Sequence, residues 1–216
     1  MKLLAIDTAT RVVSVAVVDG DRAAVREHES RGTDLLVLVD AACRELGVAP
    51  AELEAVAVGA GPGSFTGLRI GMATAKGVAF AAGAPLWAVS SLAALVADDA
   101  TGVAVAVLDA RRGELYAGAY RDGVLVEPER VIAPGELAAW AGPDARFVGD
   151  ALAVYPELAA LAARWRHATP PARSIAQLAL AGARADVVVH GAPAYLRPAE
   201  AELKYPDGVP GALRRR

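Results

Sequence analysis

The stretch Val56 to Gly83, VAVGAGPGSFTGLRIGMATAKGVAFAAG, decides how this chain is read. Val56, Ala57 and Val58 end a buried strand. Gly59, Gly61, Pro62 and Gly63 then mix residues that permit almost any φ with one that fixes it, so no regular element continues. Ser64 or Thr66 can cap the helix that follows. That helix, predicted over Gly67 to Ala82, carries only two charges, Arg69 and Lys76, and their spacing of nearly two turns puts both on one narrow stripe. Nearly all the rest of its circumference is apolar. Gly67, Gly71 and Gly77 are each about 1 kcal/mol worse than Ala in a helix interior, so their repetition points to a backbone passing close by. Such a helix is either buried within its own domain or shared with a partner.

The 216 residues are 55% hydrophobic, enough to bury a substantial core in one domain or two small ones. A formal charge of −3 and a pI near 5.7 disfavour a broad footprint for nucleic acid, although Arg214 to Arg216 form a short basic tail. Cys43 is the only cysteine, which leaves no intrachain disulfide and reads as a small buried hydrophobe. Asp7 arrives before any signal-peptide core can form, so a cytoplasmic protein is expected. Gly77 to Ala97 has no charge over a length that could cross a bilayer, yet Gly83, Pro85, Ser90 and Ser91 interrupt it. It reads instead as a helix end, a strand at Leu86 to Val89 and a new helix capped by Ser90, with no membrane contact.

Lys2 to Asp7, Val12 to Val18 and Ala23 to Glu29 read as a three-strand meander that turns at Asp19-Gly20. Thr33 or Asp34 can cap a helix over Leu35 to Leu46, where Asp40 and Arg44 pair and Leu35, Leu38, Val39, Ala42, Cys43 and Leu46 form an apolar face. The first half is thus βββαβαβα. After Thr101-Gly102, strands are predicted at Val103 to Leu108, Glu114 to Tyr120 and Val124 to Val131. Helices near Gly135 to Ala141 and Ala151 to Ala163 bracket a strand at Arg146 to Val148. Both halves open with a strand, an acid (Asp7, Asp109), and a hairpin at Asp-Gly, so the fold class is α/β with an internal duplication. The expected boundaries are 1–101, a smaller domain over 102–190, and a tail over 191–216 that packs back.

GPGSFTGLRIGMATAKGVAFAAGAPLWAVSSL resembles the signature of the TsaB (YeaZ) family, proteins that support synthesis of threonylcarbamoyladenosine in tRNA. The likeness extends to IDTAT ending at Thr10, LDARRGELYAGAY over Leu108 to Tyr120, and AYLRPAEAE near the end. It implies tandem ribonuclease-H-like halves of the actin, sugar-kinase and heat-shock ATPase superfamily, the second half reduced. It also implies a non-catalytic subunit that pairs two helices with a TsaD-like catalytic subunit. In the family, that partner transfers threonylcarbamoyl to adenosine 37 of tRNAs reading ANN codons, and a TsaE-like ATPase assists. ATP or ADP and a metal are then expected with the partner subunits and none on the isolated chain, which would touch tRNA only indirectly and form a homodimer alone. The expected interface comprises Leu35, Leu38, Val39, Ala42, Cys43, Gly67, Leu68, Gly71, Met72, Ala75 and Ala79, with Gly71→Arg expected to abolish association and spare the fold.

Asp7, Thr8 and Thr10 occupy the turn where that superfamily presents an acid and hydroxyls to phosphates and their metal, which makes them cofactor candidates and motivates an independent ATPase or kinase as the alternative. Ala9 replaces the central glycine there and obstructs a phosphate, while an Asp-Thr turn is equally a local hydrogen-bonding device. Gly59 to Gly63 before a helix could hold an anion, but no Gly-Lys-Ser/Thr follows. His28, His167 and His190 lack ligand spacing, and neither Ser64 nor Cys43 sits in a nucleophile motif, so a peptidase finds no catalytic set or metal here. The charged turn of Asp109, Arg111, Arg112 and Glu114 either orients a partner or fixes its own hairpin, and Tyr195, Arg197 and Glu200 read as anchors of the tail. Gly32-Thr33-Asp34 departs from the common family form.

Overall fold

The computed structural model describes residues 1–29, 34–99, 101–186 and 191–196. In chain order β1 (Lys2–Asp7), β2 (Val12–Asp19) and β3 (Arg22–Glu29) form the expected antiparallel meander. They are followed by α1 (Leu35–Leu46), β4 (Ala55–Gly59), α2 (Phe65–Ala82), β5 (Leu86–Val89) and α3 (Ser91–Val96). β4 pairs parallel with β1 and β5 parallel with β4, and the helices between supply the crossovers that parallel pairing needs. The caps follow the sequence: Ser64 Oγ accepts from the Gly67 N–H, and Ser90 Oγ from the Leu92 and Ala93 N–H groups. Asp34 stands at the N-cap of α1 without a side-chain cap bond, and Thr33 lies outside the described residues.

The second half repeats the plan. β6 (Val103–Arg111), β7 (Glu114–Arg121), β8 (Val124–Leu125), β9 (Arg130–Ile132), α4 (Leu137–Ala141) and β10 (Arg146–Gly149) lead to β11 (Trp165–Arg166). Its sheet runs β11-β10-β6-β7-β8, with β9 also on β7, and matches β5-β4-β1-β2-β3 of the first in order and direction. These are the tandem halves expected from sequence, and the second is reduced: its helices shrink to five residues in α4 and to 3-10 turns. The helix expected over Ala151 to Ala163 is two 3-10 segments, Ala151–Ala153 and Pro156–Arg164, because Pro156 lacks the N–H that a continuous α-helix would use. The expected strand over Val124 to Val131 is split into β8 and β9.

The expected domain boundary at 190 is corrected by the chain's return. α5 (Ala172–Leu180) and β12 (Ala185–Asp186) belong to the first half, where β12 pairs with the edge strand β5. Ala172, Ile175, Ala176 and Ala179 fall at helical spacing and pack on Leu3, Ala5, Ala55 and Ala57. They cover the sheet face that α1 and α2 leave open, and a strand buried on both sides needs that cover. A further cluster joins the halves: Leu68, Leu92, Leu95 and Val96 interdigitate with Ala104, Ala106, Leu108, Tyr116, Tyr120 and Val148.

The seat of α2 explains two of its three glycines. A Cβ at Gly67 would lie 2.2 Å from the Thr8 carbonyl oxygen, and one at Gly71 would lie 2.2 Å from Thr8 Oγ1. Thr8 itself is buried and donates to the Gly67 carbonyl at 2.8 Å. At Gly77 an added Cβ meets nothing within 4 Å. Urea unfolding should therefore separate the two cases: Gly71→Ala destabilises by about 1–3 kcal/mol through overpacking, whereas Gly77→Ala stabilises by roughly 0.5–1 kcal/mol through helix propensity alone.

Candidate functional site

Around its axis α2 presents three stripes with different tasks. Leu68, Met72, Ala75 and Ala79 are buried, Met72, Ala75 and Ala79 with Leu35, Val39, Ala42 and Cys43 of α1 in the core on the sheet. Gly71 is buried against Thr8, Leu38 packs half-buried on the same core, and Gly67 is closed by the Thr8 carbonyl. The interface expected from sequence is thereby corrected for all but Leu38 and Gly67, which are half-buried: the other nine residues are buried inside the chain. Gly71→Arg would break the fold before it tested association.

The second stripe holds Phe65, Arg69 and Lys76, and fastens residues 191–196. Lys76 Nζ donates to the Gly191 carbonyl at 2.7 Å, and Arg69 Nε to Tyr195 Oη at 3.1 Å. The Tyr195 ring lies 5.4 Å from that of Phe65, and the Arg69 guanidinium sits 4.0 Å over the Phe65 ring. The Ala194 N–H completes the attachment on the Ala60 carbonyl at 2.7 Å. Tyr195 thus anchors the returning segment as read from sequence, whereas Arg197, Glu200 and Arg214 to Arg216 lie outside the described residues.

The third stripe is bare. Leu36 and Val37 of α1 are 63% and 67% exposed and Phe80 of α2 is 91% exposed, values that a chain burying its apolar side chains elsewhere does not need. Between the helices lies an apolar groove of about 700 Å³, walled by Leu36, Pro50, Ala51, Ala73, Val78 and Ala81 and floored in part by Gly77. Sequence reading missed these residues. The exposed Leu36-Val37 pair opposite the inward face of α1 was the available signal.

In the turn after β1, the cofactor candidates are engaged with the chain's own groups. Asp7 is fully buried: its Oδ1 accepts from the Ala9 N–H at 2.8 Å, and its Oδ2 from Ser91 Oγ at 2.6 Å. A Cβ at Gly59 would lie 1.8 Å from that Oδ2, so the carboxylate is enclosed. Ala9 is covered by Gly63, and its carbonyl accepts from the Ser64 N–H at 2.7 Å. Thr8 is committed to α2, and Thr10 Oγ1 exchanges hydrogen bonds at 3.1 Å with the Val12 backbone. Between the halves, Leu68, Leu92, Leu108 and Tyr116 pack in one buried cluster.

Hydrogen bonds reinforce that closure. Glu129 of the second half accepts from Ser90 and, at 2.7 Å, from Tyr120 Oη; burial first and then the Glu129 charge push the Tyr120 hydroxyl far above its ordinary pKa. The second acidic turn also serves itself. Asp109 Oδ1 accepts from Tyr155 Oη and the Arg111 N–H at 2.7 Å each, and Asp109 Oδ2 pairs with Arg111 at 2.9 Å, which fixes a hairpin whose Arg111 and Arg112 both have positive φ. Among the described residues no group of three or more His, Cys, Asp or Glu is placed to hold a metal, and no helix is long and apolar enough to cross a membrane.

Residues 22–211 match the family model described as TsaD: tRNA N6-adenosine threonylcarbamoyltransferase. A structure titled YeaZ from Pseudomonas aeruginosa superposes with a TM-score of 0.73 at 30% identity, covering 86% of this chain and 96% of that one. An uncharacterized protein of Mycobacterium tuberculosis is 42% identical over 172 residues, 74% of either chain. The tRNA threonylcarbamoyladenosine biosynthesis protein TsaB of Escherichia coli is 40% identical over 132 residues, 56% of this chain and 55% of that protein. The matched segment thus spans about half the length of that TsaB, and 40% of a Mycobacterium leprae relative.

Burial raises the Asp7 pKa from 3.8 to about 6, against the opposing hydrogen bonds from Ser91 and Ala9. The folded state therefore holds this proton more tightly than the unfolded chain. Its stabilising share is complete below pH about 4 and is lost as pH rises through about 6, a change on the order of 3 kcal/mol. Asp7→Asn has no proton to lose. The stability of the natural chain minus that of Asp7→Asn, measured by chemical unfolding, should fall between pH 4 and 7 and level off above; a flat difference contradicts the assignment.

Proposed function

This chain belongs to the TsaB (YeaZ) family, and on that premise we propose that it is a non-catalytic subunit docking through the outward faces of α1 and α2 onto a TsaD-like catalytic partner. The reading rests on one observation, the bare apolar groove that Leu36 of α1 lines together with the outward face of α2, on helices that also expose Val37 and Phe80. An apolar surface of this kind is seldom left in water, and the two-helix shape suits the same pair of helices on a homologous chain. Alone, the chain covers the groove with a second copy of itself.

In this proposal the partner performs the transfer of threonylcarbamoyl to adenosine 37 of ANN-reading tRNAs, and holds the metal. Nucleotide enters with the TsaD-like and TsaE-like partners, in the cytoplasm. Two features support a supporting rather than a reacting role. The carboxylate and hydroxyls after β1 are spent on the chain's own backbone and on Ser91, and the cleft between the halves is packed. A net charge of −3 argues that tRNA is reached through the partner.

Gly77→Arg and Leu36→Asp place charge on the docking face without meeting the chain's own atoms, since Gly77 faces open space and Leu36 is exposed. Both variants should melt within a few degrees of the natural chain, yet lose self-association in sedimentation and binding to the TsaD-like partner in calorimetry. In a reconstituted tRNA modification assay read by nucleoside mass spectrometry, they should fail to restore threonylcarbamoyladenosine. Full modification without this chain overturns the role.

A further inference from the structure

Arg69 and Lys76 are the only charged side chains on α2, and they border its docking face rather than stand apart from it. Ala73 lies four residues after Arg69 and three before Lys76, and Phe80 follows Lys76 by four, so on the helix surface each cation is an immediate neighbour of an outward apolar residue. Both heads are nevertheless held aside. Gly191 and Tyr195 supply the two acceptors, on a segment that is itself tied to the loop before α2 through Ala194 and Ala60.

We infer that residues 191–196 act as a strap that keeps the cations of α2 off the docking face and so tunes association, Lys76 being the residue through which the strap acts. The inference rests on the docking reading above and adds its regulation. Lys76 is half-buried, carries a long flexible stem, and adjoins Gly77, which has no side chain to bar its way. Released from the Gly191 carbonyl, its ammonium sweeps over Ala73 and Phe80. A partner helix must then either strip that charge of water or order it anew, and both weaken docking. Fastened, the same side chain is already ordered, and its stem adds apolar cover. Three hydrogen bonds and one ring contact tie the strap to α2 or the loop before it, and Leu196 packs on the cluster that includes Leu68 of α2, so strap and docking face share one element.

The test uses the full-length chain. Tyr195→Ala removes the ring contact and the acceptor for Arg69, and Ala194→Pro removes the N–H given to Ala60; each is made alone and both together, so that a misfolded double variant leaves the singles. Reactivity of the Lys76 amine toward an acylating reagent, read by peptide mass spectrometry against Lys2 in the same molecule, should rise severalfold in the strap variants. Self-association in sedimentation should weaken by roughly tenfold, the scale of a misplaced charge at an interface. Lys76→Met in the Tyr195→Ala background should restore association to that of the natural chain. Unchanged Lys76 labelling overturns the strap contact. Weakened association that Lys76→Met leaves unrepaired overturns the route through Lys76, and undiminished association in the strap variants overturns the coupling. A natural chain that stays monomeric and ignores a TsaD-like partner overturns the docking reading itself, a result distinct from the others.

Discussion

The contact on which most of this structure depends is the seating of the turn after β1 against the glycines of α2. Thr8 meets Gly67 and Gly71, and Ala9 meets Gly63, at distances that no side chain at those glycines could tolerate. That approach brings α2 onto the sheet and lets Leu68, Met72, Ala75 and Ala79 reach their burial. It also encloses Asp7, whose two oxygens are left to Ala9 and Ser91. The close packing that makes the domain therefore spends the carboxylate and the Thr8 hydroxyl on the chain's own contacts.

The order of elements from β1 through β7 was legible because its signals are local. Apolar runs between turn residues, the serines before α2 and α3, and the recurrence of a strand, an acid and a hairpin each fix their own neighbourhood. The tandem halves followed from that recurrence together with the family resemblance. The faces of α2 were not legible, and the reason is physical: a helix apolar nearly all round has no polar side to mark the outside, so spacing cannot separate core from contact surface. On α1 the inward face was read correctly as apolar, but assigned to a partner instead of the sheet. The return of α5 and β12 to the first half also escaped, since only the sheet's need for a second covering layer places them there.

Two kinds of polar group on α2 and its surroundings answer to different constraints. Asp7 is removed from water, and that burial outweighs its two hydrogen bonds, so its proton affinity rises and neutral pH works against the fold. Arg69 and Lys76 stay at the edge of solvent, where a carbonyl and a phenol can direct them at little desolvation cost. The buried acid is structural in its effect. The edge cations are placed where a modest contact decides what a partner meets.

The three glycines of α2 sharpen the case for a partner. Each forfeits about 1 kcal/mol of helix propensity relative to Ala. Gly67 and Gly71 have their reason inside the chain, in the backbone and hydroxyl of Thr8. Gly77 has none, for an added Cβ there meets open space. It lies in the apolar groove beside Ala73, Val78 and Ala81, where small residues let a second helix come closer than larger ones would. If the helix were optimised for the isolated chain, alanine would serve better at this one position. The residue that the fold does not need is the residue a helix-to-helix contact would need, and it sits at the floor of the face left bare.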